Sequence, residues 1–553
     1  MMFASNGERL LDCAGRAERR RRFGLRGSLK AALQDGIRWC LHVFGLTLKA
    51  VFRLRYATAR RARFACHRSP KRIAFGLGLF FLASTRFAYA IGGVDKAPEP
   101  SAPHELTFAE PKETKLENGL RVIVAERTDL PILGAEVLVR TGSEVDPGGR
   151  AGAASMAGSL LTKGTETMTA PQIANAIETL GGEIDSGARW DASRASLVVL
   201  SKNAEPALKI LADVVRHPAF KQEEIDRAKN QTLDGLRVML ENPGALARIV
   251  TDQVVFGPGE YGHSAAGTIE SVKAIQRDDL VKLYQTYYVP ENATLILAGN
   301  ITLEQGQKYA QQFFGDWKGS SVGKKEGAQS APTDWKPENV VIDMPEAGQA
   351  AVTVAMPAVK RDSPDYYAGL VVNAALGTGF VSRLNREIRI KRGLSYGARS
   401  ALDSRRSGGS FVATAQTKNP SAPEVAGLLK SELKRLGTEP VQGDELKSRQ
   451  AVLTGGYARN LETNRGLVGQ IASLVTYGRP LDTLNKFIPR IDAITASDVS
   501  AFEAKYFETP PSLIIVGKAS EFLEALKKET PEVRVIQQKD LDLNRADLTK
   551  PGN

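Results

Sequence analysis

DLVKLYQTYYVPENATLILAG (Asp279–Gly299) and DVSAFEAKYFETPPSLIIVG (Asp498–Gly517) parallel each other at a shift of 219 residues, which becomes 218 after a one-residue deletion. A second pair precedes them: EEIDRAKNQTLDGLRVMLEN (Glu223–Asn242) matches DELKSRQAVLTGGYARNLET (Asp444–Thr463) at a shift of 221. There Glu224 and Glu445, Leu240 and Leu461, and Glu241 and Glu462 fall in register. One amphipathic helix often resembles another, but two matches in the same order at nearly one offset indicate an internal duplication. Between the halves, GSSVGKKEGAQSAPTD (Gly319–Asp334) is rich in Gly, Ser and Lys and reads as a tether. The expected organisation is two homologous domains, 105–318 and 336–530, with a linker at 319–335 and a polar tail at 531–553.

Within the first half, LENGLRVIVAE (Leu116–Glu126) places an Asn-Gly turn before an alternating strand. ILGAEVLVRTGSEVD (Ile132–Asp146) reads as a second strand ending in a polar turn. Helical apolar spacing follows at Ala170–Leu180, Ala204–Val215 and Glu223–Glu241. Strands interspersed with helices indicate an α/β or α+β sandwich.

The chain has 553 residues and a net charge of +12, but that charge is concentrated at one end. Residues 1–90 carry 19 Lys and Arg against 4 Asp and Glu, out of 74 and 62 in all, so the remainder is near −3. The body therefore lacks the basic footprint of a nucleic-acid binder. Lys71 and Arg72 precede the apolar run IAFGLGLFFLAS (Ile73–Ser84), and Ala88-Tyr89-Ala90 supplies a small-x-small cleavage signature. This pattern predicts a leader over 1–90, cleavage after Ala90, and export to the periplasm. A Pro-rich connector at 91–104 then leads into the first domain. The run is about half a bilayer span, so no stable membrane span is expected after cleavage; an uncleaved anchor is the alternative. Cys13, Cys40 and Cys66 all lie in the leader. Disulfides, thiolate catalysis and Cys-ligated zinc are thereby excluded for the mature chain.

Two further stretches carry chemistry. GRAGAASMAGSLLTKGT (Gly149–Thr165) has the frame of a metal-binding helix, and GTGFVSRLNREIRIKRGLSY (Gly377–Tyr396) is a glycine turn opening a basic helix that delivers a tyrosine. On these motifs and the duplication, residues 105–530 resemble the pitrilysin-type, or inverted zinc, metallopeptidases, which include insulin-degrading enzyme and mitochondrial processing peptidase. The resemblance implies an α+β fold of two homologous domains. Each would be a mixed, mostly antiparallel sheet packed with helices, and together they would form half of a clam-shell chamber.

Active members of that family carry His-x-x-Glu-His ahead of Lys-Gly-Thr, and here Lys163, Gly164 and Thr165 match the ending. Counted back, the histidine positions fall on Ser155 and Ser159, and the glutamate position on Gly158; the place of a further glutamate ligand falls on Gly235. Two histidines at i and i+4 share one helix face and clamp Zn²⁺, while the glutamate between them takes a proton from metal-bound water. Serine and glycine supply neither function. His104, His217 and His263 show no metal-ligand spacing either. The expectation is that this chain binds no metal and that Zn²⁺ resides in a partner.

The second domain of the family presents an arginine and a tyrosine seven residues apart, matched here by Arg389 and Tyr396 in RIKRGLSY. A helix over Ser382–Arg392 should stop at the favourable C-cap residue Gly393 and turn into a strand through Tyr396. By resemblance, the tyrosine hydroxyl stabilises the oxyanion of a scissile peptide, and the arginine grips peptide carbonyls or orients the tyrosine. Gly377 and Gly379 resemble a glycine-rich substrate loop. As a nucleotide loop, GTGFVS lacks a third glycine and a βαβ context. GLSYG (Gly393–Gly397) fits a nucleophile elbow, but no histidine follows His263 to complete a triad. Ser321 and Lys324 fit Ser-x-x-Lys only inside the linker.

Some relatives work as unequal pairs, so the resemblance implies a metal-free subunit of a heteromeric zinc peptidase acting on unfolded peptides beside a homologous zinc-bearing subunit. A catalytically inert scaffold and a standalone peptide-binding protein are the alternatives.

Overall fold

The computed structural model describes residues 108–319 and 335–551. The leader, its cleavage site and linker residues 320–334 lie outside the described residues.

Two six-stranded mixed sheets carry the architecture. The first runs β1-β2-β6-β3-β5-β4, from β1 (Lys112–Lys115), β2 (Arg121–Glu126), β3 (Ile132–Val139), β4 (Glu183–Ala188), β5 (Ser193–Leu200) and β6 (Ala293–Gly299). The second runs β12-β7-β11-β8-β10-β9, from β7 (Asn339–Asp343), β8 (Ala350–Ala358), β9 (Ala398–Ser404), β10 (Gly409–Thr417), β11 (Ser512–Gly517) and β12 (Arg534–Gln537). Five strands of each sheet correspond in order and direction. β2 pairs parallel to β6 as β7 does to β11, and the remaining neighbours in each five are antiparallel. The matched helices Gln222–Leu240 and Gly443–Leu461 each span 19 residues and start 221 residues apart. The sixth strand comes from opposite ends of the chain: β1 precedes β2 and pairs antiparallel, whereas β12 follows the second domain and pairs parallel to β7.

Residues 531–553, expected as a polar tail, therefore include part of the second sheet. Beyond β12 the chain returns to the first domain, where Gln253 Nε2 donates to the Arg545 carbonyl at 2.9 Å and Thr268 Oγ1 bonds Asn544 at 2.8 Å. Leu548 is buried against the helix Pro243–Phe256 and its neighbours. Four apolar residues, Ile536, Leu541, Leu543 and Leu548, suffice for this, and the many charges around them mask the signal.

Each domain lends a helix to its neighbour. Pro243–Phe256 begins where Asn242 accepts a hydrogen bond from the Ala245 N–H, and Asn464–Thr476 where Thr463 accepts from the Gly466 N–H, so both have a proper N-cap. The first presses Leu246, Val250 and Val254 onto Val340, Ile342, Ala351, Ile514 and Val516 of the second sheet. The second presses Leu467, Val468, Ile471 and Val475 onto Ile123, Ala125, Leu138, Ile296 and Ala298 of the first. Burying each such side chain stabilises by about 1.5–3 kcal/mol, so the exchange joins the two halves into one body. Arg406, in the turn between β9 and β10, adds hydrogen bonds to Glu144 and to the Asp191 carbonyl across the same seam. Among the described residues, no helix is long and apolar enough to cross a membrane.

Candidate substrate-facing site

The N-terminus of the helix Ala153–Leu160 is held by Asp146, whose two carboxylate oxygens accept from the Gly152 and Ala154 N–H groups at 2.8 and 2.7 Å. An acid at this end satisfies orphan amides and opposes the helix dipole. Ala153, Ala154, Met156, Ala157 and Leu160 enter the first core, and the helix lies against β4. This contact decides the fate of Gly158. A Cβ there would stand 2.7 Å from the Gly187 carbonyl carbon and 2.8 Å from the Ala188 nitrogen, both backbone atoms of β4.

Ser155 and Ser159 are half-buried, and Ser159 Oγ donates back to the Met156 carbonyl at 2.8 Å. Gly235 lies on Gln222–Leu240, which packs beside this helix, with open space where a side chain would project. The four positions lie on two helices that pack together, and they offer two weak hydroxyl donors and two glycines. The donor set does not fit Zn²⁺, and the glutamate of a metallopeptidase has no room at 158. Among the described residues, no group of three or more His, Cys, Asp or Glu is arranged to hold a metal ion.

The second stretch is open. Arg389 lies on π-helical turns, Asn385–Lys391, rather than in a regular α-helix. The turns close at Gly393, left-handed at φ +64°, with the Gly393 N–H donating to the Arg389 carbonyl and the Leu394 N–H to the Ile388 carbonyl. Tyr396 precedes β9 instead of lying in it, because Ser395 Oγ bonds both the N–H and the carbonyl of Gly397 and sheet pairing starts only at Ala398. Freed from the ladder, Tyr396 is 89% exposed. The Arg389 guanidinium sits 4.6 Å from the ring centroid of Tyr396 and 4.6 Å from that of Phe380, stacked on both. Such contacts contribute about 0.5–1 kcal/mol each at exposed sites and leave the guanidinium edge available to donate.

Side chains hold the surrounding loop in place. Buried Asn385 donates to the Gly379 carbonyl at 2.9 Å and accepts from the Ala398 N–H at 3.0 Å, tying the glycine turn to the start of β9. Arg383 makes a two-pronged pair with Glu445 at 3.0 and 2.7 Å and donates to the Glu439 carbonyl. Burial acts to raise the Glu445 carboxyl, but the bonds and charge of Arg383 outweigh it, and its pKa falls below the usual carboxylate range. Arg449 Nη2 holds the Val381 carbonyl. Gly377 and Gly379, expected as one flexible loop, differ in role. Gly377 is the buried last residue of the helix Tyr366–Gly377, where a Cβ would fall 1.9 Å from the Ser400 nitrogen; Gly379 has φ +82° and open space.

The reading from sequence missed Phe380 and Asn385. A large aromatic directly after Gly379, in Gly-Thr-Gly-Phe, was an available signal for the first. Nothing in RLNREI separates Asn385 from a solvated helix residue.

A two-domain duplication, a helix in zinc-site frame without ligands, and an arginine-tyrosine stack on the second domain define an insulinase-type architecture. The family model described as insulinase (peptidase family M16) matches residues 121–255, and that described as the peptidase M16 inactive domain matches residues 274–453. The chain belongs to this pitrilysin-type family. It is 25% identical over 413 residues to an uncharacterised zinc protease of Streptomyces coelicolor, covering 73% of this chain and 89% of that one. It is 23% identical over 415 residues to a probable mitochondrial-processing peptidase subunit beta of Arabidopsis thaliana, covering 73% and 77%. A solved peptidase M16 inactive domain from Pseudomonas fluorescens superposes with a TM-score of 0.68 at 27% identity, covering 74% of this chain and 98% of that one. A Helicobacter pylori protease at 18% identity and TM-score 0.69 shares the fold.

Proposed function

We propose that this chain is the metal-free subunit of a heteromeric zinc peptidase of the periplasm. It binds unfolded peptides and stabilises the transition state while a homologous partner supplies the zinc. The observation that carries this is the Arg389 guanidinium stacked on Phe380 and on an exposed Tyr396, in a loop held by Asn385, Arg383 and Arg449.

The Tyr396 hydroxyl is free to donate to an oxyanion forming on a peptide carbonyl, and Arg389 fixes the ring and offers N–H donors to neighbouring carbonyls. Preorganised donors of this kind are worth about 10²–10³ in rate. The zinc-protease names of the relatives support the reaction class, and the sealed position at Gly158 supports a division of labour between subunits.

The test is co-purification with a zinc-bearing family member from the periplasm, followed by peptide cleavage with each subunit alone and with both mixed. Mixing restores cleavage, and Tyr396→Phe lowers kcat of the mixture about 10²-fold without changing assembly. Chelator-sensitive cleavage by the isolated chain, or full activity of the Tyr396→Phe mixture, overturns the proposal.

A further inference from the structure

The first sheet carries a charged cleft that the rest of the site does not use. Helix Asn464–Thr476 covers β3 and β6 and leaves the outer faces of β5 and β4 less covered. The resulting cleft, about 140 Å³, is lined by Glu136, Glu183, Asp185, Arg194 and Val198 from the sheet and by Arg465 and Val468 from the helix. A volume of this size accommodates a small molecule.

Glu136 is 3% exposed at the floor, in the otherwise apolar strand ILGAEVLV. Arg194 stands 3.8 Å from its carboxylate, beyond hydrogen-bond range, and turns its other nitrogen to Asp185 at 3.4 Å. Burial pushes the Glu136 carboxyl up to about 7, against the pull of Arg194 and Arg189. An anion in such a place is costly unless something cationic meets it.

The duplication supplies an internal control. Glu136 pairs across strands with Ser196 and Ile296; the corresponding residue of the second domain, Thr353, pairs with Thr414 and Ile514. There the position is closed by a Thr353–Thr414 hydroxyl bond of 3.1 Å, and Val412 stands where the first domain has Arg194. The same fold is thus built at this point without a buried carboxylate, so Glu136 and its arginine are not demanded by the architecture.

We propose that the cleft binds a free α-amino acid with an apolar side chain. Its ammonium meets Glu136, its carboxylate meets Arg194 and Arg465, and its side chain lies on Val198 and Val468. Arg465 already reaches the rim, where it pairs with Glu183 at 2.6 Å. Because Glu136 belongs to the first domain and Arg465 to the helix lent by the second, an occupant bridges the two domains and raises their joint stability.

Calorimetric titration and thermal melting with L-leucine, isopentylamine and isocaproate test this on the purified exported protein. Leucine binds one-to-one and raises Tm, and each analogue lacking one charge binds at least about tenfold more weakly. Glu136→Thr, which copies the second domain, weakens leucine by about tenfold or more and leaves the unliganded Tm unchanged or higher. Arg465→Ala, on an exposed side chain, weakens leucine and spares isopentylamine. Absence of leucine binding at millimolar concentration, equal binding of isopentylamine, or unaltered affinity in both variants overturns the proposal.

Discussion

Helix Ala153–Leu160 in the first domain and the segment 377–396 in the second lie in the same interval of the duplicated chain, between β3 and the edge strand β4 and between β8 and the edge strand β9. One has been sealed and the other kept open. In the first, β4 backbone sits where a side chain at 158 would begin. In the second, π-helical turns and a left-handed glycine release Tyr396 from the sheet, and Phe380 and Arg389 brace it. The segment that leaves Tyr396 exposed is held by hydrogen bonds from the buried side chains Asn385 and Arg383.

The sharpest way to break this contrast is at Gly158. Gly158→Ala should cost about 2–3 kcal/mol by overpacking against β4, read as a lower urea midpoint at constant m-value. The triple change Ser155→His, Gly158→Glu, Ser159→His should lose more and hold no stoichiometric zinc. A triple variant with the parental Tm and one zinc per chain would show that the helix is merely unfurnished, not sealed.

Asn385→Ala sharpens the other side. It removes the side-chain partner of the Ala398 N–H and leaves the Gly379 carbonyl only its long bond from the Ser382 N–H, which should cost about 1–2 kcal/mol and increase proteolytic nicking between 378 and 382. Unchanged nicking would mean that the Arg383 and Arg449 contacts suffice to hold the loop.

The smallest effect is expected at Gly235, and with the opposite sign. It lies exposed in the interior of a helix with nothing near its missing Cβ, so Gly235→Ala should stabilise by about 0.5–1 kcal/mol in the same urea titration. Destabilisation would mean that this face is filled, and would weaken the distinction drawn between Gly158 and Gly235.

Much of the architecture is local information. The offset between repeats, the glycine at 393 and the want of imidazole at 155 and 159 are all legible along the chain, and a linear reading finds them. The periodicities left α/β and α+β open, the family resemblance implied α+β, and the fold comparison agrees with it. Tertiary structure alone decided what depends on distant segments meeting. The exchange of helices between domains and the recruitment of β1 and β12 from opposite termini require whole sheets to exist first. Closure at Gly158 is set by Gly187 and Ala188, almost thirty residues away. Glu136 reads as a flaw in an apolar strand until Arg194 and Arg465 are brought beside it. Sequence spacing specifies which residues share a face; which faces meet, and how closely, is settled by packing, where a single backbone contact decides whether a side chain can exist.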